Sequence, residues 1–368
     1  MISAMSRLLR PSLDWLLVFV PATVIVHLVS PESHVVVFIL ACLAVIPLAG
    51  WMGKATEHLA TRTGAGLGGL LNATFGNAAE LIIAIVALRR GMIDIVKASL
   101  TGSIIGNILL VLGASLLAGG MRFREQKFQA QGGRMQSTML TLAVIALVAP
   151  AAFHYAGGAS NLATEATLSA GISVVLLVVY ACGLFFSLKT HKHLFDGIDP
   201  EVAEVEHEGD QEHWPVKKAL GLLLAATVFV AWMSEILVGS VEGAAHELGM
   251  NNLFVGVIVV AIIGNAAEHS TAILMALKNR MDLSLGIAIG SSIQVALFIA
   301  PLLVLLSFVI APQPMDLVFT PSEIMAVALS VAITSQIAGD GESNWMEGVL
   351  LLAVYLILGI VFFFMPGV

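Results

Sequence analysis

One short sequence, Gly-Asn-Ala-Ala-Glu, occurs twice in the chain, at Gly76–Glu80 and at Gly264–Glu268. Both copies lie inside long apolar runs, and a serine follows each Glu at the same distance, as Ser103 and as Ser291. We call the offset between Gly76 and Gly264 the repeat spacing, and it also relates the two serines. A match held in register over this distance indicates a duplicated unit, in which each half carries one carboxylate within an apolar segment.

The composition indicates that both copies of the motif lie in a membrane protein. The 368-residue chain is 58% hydrophobic and 11% charged, whereas a soluble domain carries about 25% charged residues. Cys42 and Cys182 both fall in apolar runs, and they indicate neither a disulfide nor a metal site. We therefore expect a polytopic protein in a lipid bilayer. The net charge of −8 gives no indication of nucleic-acid binding.

Most of the apolar segments are long enough to cross a hydrocarbon core about 30 Å thick as helices. No small-residue cleavage site follows the first segment, so we expect an uncleaved helix and not a secretory signal. The sequence predicts eleven segments, at about 14–30, 33–53, 67–88, 94–119, 137–153, 168–188, 216–241, 251–277, 283–311, 322–339 and 344–365.

The distribution of Lys and Arg predicts the orientation, because cytoplasmic loops carry an excess of both. A cytoplasmic N-terminus followed by eleven alternating crossings places 14 of the 17 basic residues inside. Only Arg89, Arg90 and Lys97 remain outside. We therefore expect an integral protein of the bacterial inner (plasma) membrane, with its C-terminus outside.

Eleven segments divide most simply into one extra helix and two units of five. Because five is an odd number, the second unit enters the membrane from the opposite side. The result is an all-α inverted repeat, an architecture common among secondary transporters. The expected divisions are an extra N-terminal transmembrane helix at 1–32, a first repeat at 33–188, an acidic cytoplasmic linker at 189–215 and a second repeat at 216–368.

The linker between the repeats is strongly acidic. Residues 196–212 hold eight of the 25 acidic residues of the chain. A run of like charge is usually a solvated connection. A cytoplasmic acidic helix that attracts divalent cations or regulates their access is the alternative, and the sequence leaves both open.

The two motifs have the chemistry of a membrane-centre site. A carboxylate near the bilayer centre costs about 3 kcal/mol on insertion scales, so it is tolerated where it faces a cavity or a bound ion. Each Asn precedes its Glu by three positions, which places amide and carboxylate on one helix face. The glycines permit local unwinding that frees backbone carbonyls. The predicted central residues are Gly76, Asn77, Glu80, Gly264, Asn265 and Glu268.

A polar stripe follows each motif on the next predicted helix. Ser103 and Asn107 are four positions apart, and Ser291 and Gln294 are three apart. Either spacing forms one polar face on an otherwise apolar helix. Such a stripe often joins two helices. Because it recurs after each Glu, we expect these four residues to line the site.

The predicted ligands are all hard oxygens: two carboxylates, Asn carbonyls, hydroxyls and backbone carbonyls. Six to eight such oxygens with two negative charges suit Ca²⁺. Mg²⁺ requires tighter octahedral geometry, and Zn²⁺ favours His or Cys ligands. The sequence therefore favours Ca²⁺, without excluding Mn²⁺ or other divalent cations.

Other ionisable residues belong to the access path or to interhelix contacts. Glu57 and Glu235 lie nearer the membrane faces and could line the route to the centre or be interfacial polar residues. His269 follows Glu268 and is expected to have a core role, with a proton relay as the alternative. Asp94 and Asp282 match across the repeat and are predicted to cap their helices.

These motifs resemble those of the cation/proton exchanger family, the Ca²⁺/H⁺ antiporters of the cation/calcium exchanger superfamily. The resemblance lies in Thr74–Glu80 with Gly102–Asn107, and in Gly264–His269 with Gly290–Gln294. It covers nearly the whole chain. It implies that the matching positions contribute to the cation site and its access path, and that the family's acidic segment corresponds to the linker.

Residues and resemblance together predict a secondary active transporter that exports cytoplasmic Ca²⁺ in exchange for H⁺. Desolvation favours the neutral acid, so protons and Ca²⁺ compete for Glu80 and Glu268 during alternating access. A Na⁺ or K⁺/H⁺ antiporter on the same scaffold is the main alternative, and a cation channel is a weaker one. No enzyme activity and no cofactor are expected, and the oligomeric state stays open.

Overall fold

The structure is a computed structural model that describes residues 13–63, 68, 71–72, 74–158, 162–194 and 214–365. The acidic segment 196–212 lies outside the described residues. Within them the chain is almost entirely helical. The helices are α1 Leu13–Val29, α2 His34–Thr63, α3 Ala78–Arg89, α4 Ile93–Arg122, α5 Ala130–Phe153, α6 Ala163–Thr190, α7 Val216–Glu247, α8 Asn252–Gly264, α9 Ala266–Leu277, α10 Met281–Ile310, α11 Pro321–Asp340 and α12 Trp345–Phe364.

Eight of the described helices are long and apolar enough to cross a membrane, and α8 with α9 makes a ninth span if this pair, which is bent by 63°, is counted as one. Two predicted segments are not among these spans. Helix α1 is shorter than the eight, and the first motif segment, predicted at 67–88, includes residues outside the described part of the chain. The all-helical membrane architecture is therefore confirmed, while the number eleven stays a prediction.

Helices α2 and α7 pack against each other along their length in opposite directions. At one end a Cβ atom on Gly243 would lie 2.4 Å from the ring of His34, so only glycine permits this approach. At the other end the ring of His58 stacks on Trp214, which precedes α7, with centroids 4.4 Å apart. This pair joins the first helix of each predicted repeat.

The connections between helices gather at two ends of the molecule. At the first, which we call the Gly91 end, Pro312 lies 3.5 Å from the position that a Cβ atom on Gly91 would occupy. There Lys97 Nζ also lies 2.6 Å from Asp316 Oδ1. This end brings the turn between α3 and α4 against the connection between α10 and α11.

The opposite end, which we call the Gln126 end, contains the two short strands. β1 Gln126–Lys127 pairs antiparallel with β2 Glu342–Ser343. The Gln126 side chain donates to the carbonyl of Ala276 at 2.8 Å, and Asp282 accepts from the backbone N–H of Gln129 at 2.6 Å. This end therefore brings the connection between α4 and α5 against the turn between α9 and α10.

These contacts show that equivalent helices run in opposite directions. Helix α4 runs from the Gly91 end to the Gln126 end, whereas α10 starts beside Gln129 and finishes before Pro312. Likewise α5 starts at the Gln126 end, and α11 finishes there, since Phe128 N–H donates to the carbonyl of Gly341. The opposite directions that an inverted repeat requires are therefore confirmed for these helices, while the division into five-helix units at 33–188 and 216–368 stays a prediction.

The turn after each motif helix also repeats, and it corrects one prediction. Gly91 and Asn279 are related by the repeat spacing, and both have positive φ, 77° and 62°. The next helix then begins one position before Asp94 or Asp282, so neither residue is an N-cap. Both lie in the first helical turn, where a carboxylate faces the positive end of the helix dipole.

Candidate cation site

Both motifs interrupt their helices at the Asn residue. Asn77 has φ −99° and ψ 28°, and Asn265 has φ −101° and ψ 4°, so neither residue continues the helix that precedes it. Helices α3 and α9 begin directly afterwards, and Glu80 and Glu268 lie in their first turns. The interruption directs both carboxylates toward the junction between the two halves.

Glu80 accepts hydrogen bonds from both halves of the chain. The hydroxyl of Ser103 on α4 donates to Glu80 Oε1 at 2.5 Å. The amide of Asn265 in the second half donates to the same oxygen. The Asn265 nitrogen also donates to Ser103 Oγ at 3.2 Å, while its Oδ1 has no hydrogen-bond partner among the described residues.

Glu268 has the mirrored set of neighbours. We assign the Asn77 amide from the groups around it, which places its nitrogen 3.2 Å from Glu268 Oε1, 3.1 Å from Glu80 Oε2 and 3.0 Å from Ser291 Oγ. Ser291, the serine of the same half, lies close to Glu268. Glu268 Oε2 is buried and has no hydrogen-bond partner in the described part of the chain.

The arrangement is therefore a crossed pair. Each Glu meets the serine of its own half and the asparagine of the other half. The Asn77 nitrogen lies within hydrogen-bond distance of both carboxyls, which brings Glu80 and Glu268 together at one place. Two carboxylates and neutral oxygens at the centre of a helical membrane protein form a site that can hold a hard cation or protons.

The other two residues of the predicted stripes lie beside this pair. Asn107 donates through Nδ2 to Ser291 Oγ at 3.1 Å and thus reaches into the opposite half. Gln294 Oε1 lies 3.8 Å from the position that a Cβ atom on Gly76 would occupy. Asn107 is 1% exposed and Gln294 is 8% exposed, so both face the packed centre and not lipid.

The motif glycines leave room for the opposite carboxylates. A Cβ atom on Gly264 would lie 2.9 Å from Glu80 Cγ, and one on Gly76 would lie 3.7 Å from Glu268 Oε1. Position 76 is also constrained by its own helix, because the same Cβ would meet the Asn72 carbonyl at 2.8 Å. Glycine is needed here for close approach as well as for the helix break.

A widened helical turn follows each serine, a feature that the sequence analysis missed. The wide turns span Gly106–Val111 in α4 and Val295–Ile299 in α10. Such turns are often found at functional sites because they change the direction of the residues beside them. The starts of the two wide turns, at Gly106 and Val295, are separated by the repeat spacing to within one position. The repeat therefore identifies the two turns as equivalent once the structure has located them.

The three candidates for the access path make no direct bond to the crossed pair. No hydrogen bond between described residues joins Glu57, Glu235 or His269 to Glu80 or Glu268, although His269 directly follows Glu268 in the chain. Glu235 instead pairs with Arg90, with Oε2 2.8 Å from Nη2. His269 is largely buried and its Nε2 has no partner in the described residues, and Glu57 is half-buried near the end of α2.

Two small adjoining cavities lie between the crossed pair and the Gly91 end. The first is lined by Glu80, Ser103 and Gly264, and the second by Leu237, Val238 and Val241 of α7. Four residues line both cavities, so the two lie side by side: Ile83, Ala84, Ser99 and Val260. We call these two adjoining cavities the passage.

Comparison with known proteins gives consistent matches over nearly the whole chain. The family model described as "Sodium/calcium exchanger protein" matches residues 33–189 and 218–364. A Ca²⁺/H⁺ antiporter from Aphanothece halophytica is 48% identical, with 96% of each chain covered. The Ca²⁺/H⁺ antiporter ChaA of Bacillus subtilis is 45% identical, with 94% of this chain and 96% of that protein covered.

Solved structures match the fold as well. The structure of native YfkE has a TM-score of 0.82 and 42% sequence identity, and the match covers 96% of this chain and 100% of that one. The H⁺/Ca²⁺ exchanger CAX has a TM-score of 0.68 at 16% identity, covering 95% of this chain and 91% of that one, a likeness of fold alone.

Proposed function

The chain belongs to the sodium/calcium exchanger protein family, and from this premise we propose that it exports Ca²⁺ in exchange for H⁺ as a secondary transporter. The observation that carries the proposal is the crossed pair, in which Asn77 holds Glu80 and Glu268 together between the two halves. The curated relatives named as Ca²⁺/H⁺ antiporters match over nearly their full length, which supports Ca²⁺ and H⁺ as the two exchanged ions.

The chemistry of the pair accounts for exchange. Two carboxylates balance either one Ca²⁺ or two protons, so the simplest cycle moves two protons for each Ca²⁺. Asn265 Oδ1 and Glu268 Oε2 are oxygens without hydrogen-bond partners in the described residues, and both are atoms of the kind that Ca²⁺ prefers. We propose Glu80 and Glu268 as the shared ligands of Ca²⁺ and protons, with Asn77, Asn265, Ser103, Asn107, Ser291 and Gln294 around them.

Alternating access follows from the inverted repeat. Residues 33–188 and 216–368 would form the two moving units, and each contributes one Glu, one Asn and one Ser to the pair. We place the Gly91 end outside and the Gln126 end in the cytoplasm, as the Lys and Arg distribution predicts. In this orientation cytoplasmic Ca²⁺ leaves the bacterial inner membrane at the Gly91 end, and the acidic linker 189–215 faces the cytoplasm.

The direct test is Ca²⁺ flux in sodium-free proteoliposomes with an imposed pH step. The step should drive Ca²⁺ against its own gradient, because protons are the counter-ion. Raising pH on the side that binds Ca²⁺ should strengthen apparent binding, since the ligands must release protons to bind metal. A strict requirement for Na⁺, or flux indifferent to pH, would overturn proton antiport. A larger pH-driven flux of Na⁺ or K⁺ would change the substrate.

A further inference from the structure

The ion pair between Arg90 and Glu235 joins the two halves beside the passage. Arg90 directly follows α3, the helix that carries Glu80, and Glu235 lies in α7 of the second half. Arg90 Nη2 lies 2.8 Å from Glu235 Oε2 and donates to the Glu235 carbonyl at 3.1 Å. The Arg90 guanidinium thus binds both the side chain and the backbone carbonyl of Glu235 in α7.

The same pair bridges a wall of the passage. Ile83, Ala84 and Ala87 extend along α3 from Glu80, and they face Leu237 and Val238 across the narrow space. Arg90 also lies against Gly239, where a Cβ atom would come within 2.8 Å of its Nη1. Separation of α3 from α7 would widen the passage, and the ion pair opposes that separation.

The exposure of the pair suits a contact that opens and closes. The side chains of Arg90 and Glu235 are 38% and 45% exposed, whereas Lys97 and Asp316 at the same end are 12% and 23% exposed. A half-exposed ion pair is worth little and is easily broken, whereas separating a more buried pair leaves desolvated charges. The Arg90–Glu235 pair can therefore part during transport while the Lys97–Asp316 pair stays formed.

The sequence repeat does not copy both charges of this pair. The repeat spacing relates Arg90 to Lys278, but it relates Glu235 to Pro47, which carries no charge. The carbonyl groups at the end of α9 accept hydrogen bonds from Gln126 and Arg122. The Arg90–Glu235 pair is therefore a feature of the Gly91 end that the repeated sequence does not provide at the Gln126 end.

We propose that Arg90 and Glu235 form a latch that holds α3 against α7 and closes the passage between Glu80 and the Gly91 end. Both are positioning residues, since neither contacts the central carboxylates. Each transport cycle opens the latch when the site faces that end. The inference rests on the proposed exchange function for its role in transport, but the closure itself is a property of the fold.

Thiol labelling tests the latch independently of the transported ion. In a background of Cys42→Ala and Cys182→Ala, Ser99→Cys places a reporter on the passage wall. The probe is a charged methanethiosulfonate reagent applied to detergent-solubilised protein. Arg90→Gln and Glu235→Gln should each raise the labelling rate about two- to fivefold, the shift that loss of a half-exposed pair allows. The double variant Arg90→Glu/Glu235→Arg should restore the unsubstituted rate.

Matched controls separate the latch from a general effect of charge. Arg89→Gln removes the same charge from the same helix end, and Glu242→Gln removes an exposed charge from α7. Both should label at the unsubstituted rate, with all variants checked for a single symmetric peak on gel filtration. Unchanged labelling in Arg90→Gln and Glu235→Gln, or equal increases in the controls, would overturn the latch.

Flux measurements on the same variants separate this proposal from the proposed function. With pH-driven Ca²⁺ exchange by the unsubstituted chain, Arg90→Gln should change the maximal rate about two- to fivefold, and charge reversal should recover it. Accelerated labelling in a chain that shows no Ca²⁺/H⁺ exchange would support the latch and overturn the exchange assignment. Ca²⁺/H⁺ exchange by the unsubstituted chain, with no faster labelling in Arg90→Gln and Glu235→Gln, would support the exchange assignment and overturn the latch.

Discussion

Glu80 and Glu268 carry the same motif but stand in different hydrogen-bond environments. Glu80 Oε1 accepts from both Ser103 and Asn265, one from each half. Glu268 shares the Asn77 amide with Glu80, and its Oε2 has no partner among the described residues. One sequence motif thus supports a well-satisfied carboxyl in the first half and a less satisfied one in the second.

The difference indicates how the two carboxyls of a duplicated site can alternate in their readiness to bind a proton or a cation. A buried oxygen without a partner is costly, so it favours the arrival of a proton or cation. If the halves exchange conformations during transport, the less satisfied position would pass from Glu268 to Glu80. Substitutions at matched positions in the two halves therefore test whether the asymmetry belongs to one conformation or to the sequence.

The largest effect is expected from the carboxylates themselves. Glu80→Gln and Glu268→Gln keep the shape but remove the charge that the proposed exchange of Ca²⁺ for protons requires. Each should lower pH-driven Ca²⁺ flux by about 100-fold or more, beyond the range typical for loss of an outer-shell partner. Flux near the unsubstituted rate in either variant, with normal insertion, would refute the paired site. A large loss in only one would show that the halves are functionally unequal.

The asparagines should follow with a smaller loss. Asn77→Ala removes the amide shared by both carboxyls, whereas Asn265→Ala removes a donor that reaches Glu80 but not Glu268. We expect the half-saturating Ca²⁺ concentration to rise about tenfold or more in both, and further in Asn77→Ala. Equal binding losses, measured by titration at fixed pH, would argue that the halves interchange freely.

The serines should shift the pH dependence. A hydrogen bond to a carboxylate favours its charged form, so Ser103→Ala should let protons compete better at Glu80. Apparent Ca²⁺ binding should then be half-lost at a higher pH, by up to about one unit. Ser291→Ala should shift the profile less, because Ser291 also contacts Asn77 and Asn107. A larger shift in Ser291→Ala would reverse the comparison between the two halves.

The smallest effect concerns the two matched turns. Gly91→Ala forces a side chain into a left-handed conformation at a cost of about 1–2 kcal/mol. Pro312 lies at an ordinary contact distance from the new Cβ, so strain and not a clash is tested. In Asn279→Gly the backbone conformation is not strained, but the hydrogen bond that Gln126 donates to Asn279 Oδ1 at 3.1 Å is lost, at a cost of about 0.5–1.5 kcal/mol. Thermal unfolding in detergent should therefore show a lower midpoint for both variants, with the larger fall for Gly91→Ala.

Much of the architecture follows from the duplicated sequence. The helical class and the opposite directions of the halves follow from the apolar segments and from the odd number in each unit. The approach of Asn77 and Glu80 follows from the three-position spacing. The sequence does not reveal that Asn265 donates to Glu80, because a contact between positions so far apart in the chain depends on how two broken helices pack.

Other features needed the three-dimensional contacts. Asp94 and Asp282 match across the repeat, but the left-handed turns at Gly91 and Asn279 start the helices earlier than a capping role requires. The repeat spacing is visible in the sequence and could have marked these turns as equivalent. The Arg90–Glu235 pair has no such signal, because its partner position in the first half is Pro47.

The crossed pattern of donors has a consequence for the ancestry of the gene. Because Asn265 donates to Glu80 and the amide of Asn77 reaches Glu268, neither half alone contains all the contacts of the proposed site. A single-unit ancestor would have needed two copies inserted into the membrane in opposite senses to assemble one. Fusion of two such genes fixes that antiparallel pairing in one polypeptide. After fusion each half is free to diverge, as Leu81 and His269 have done.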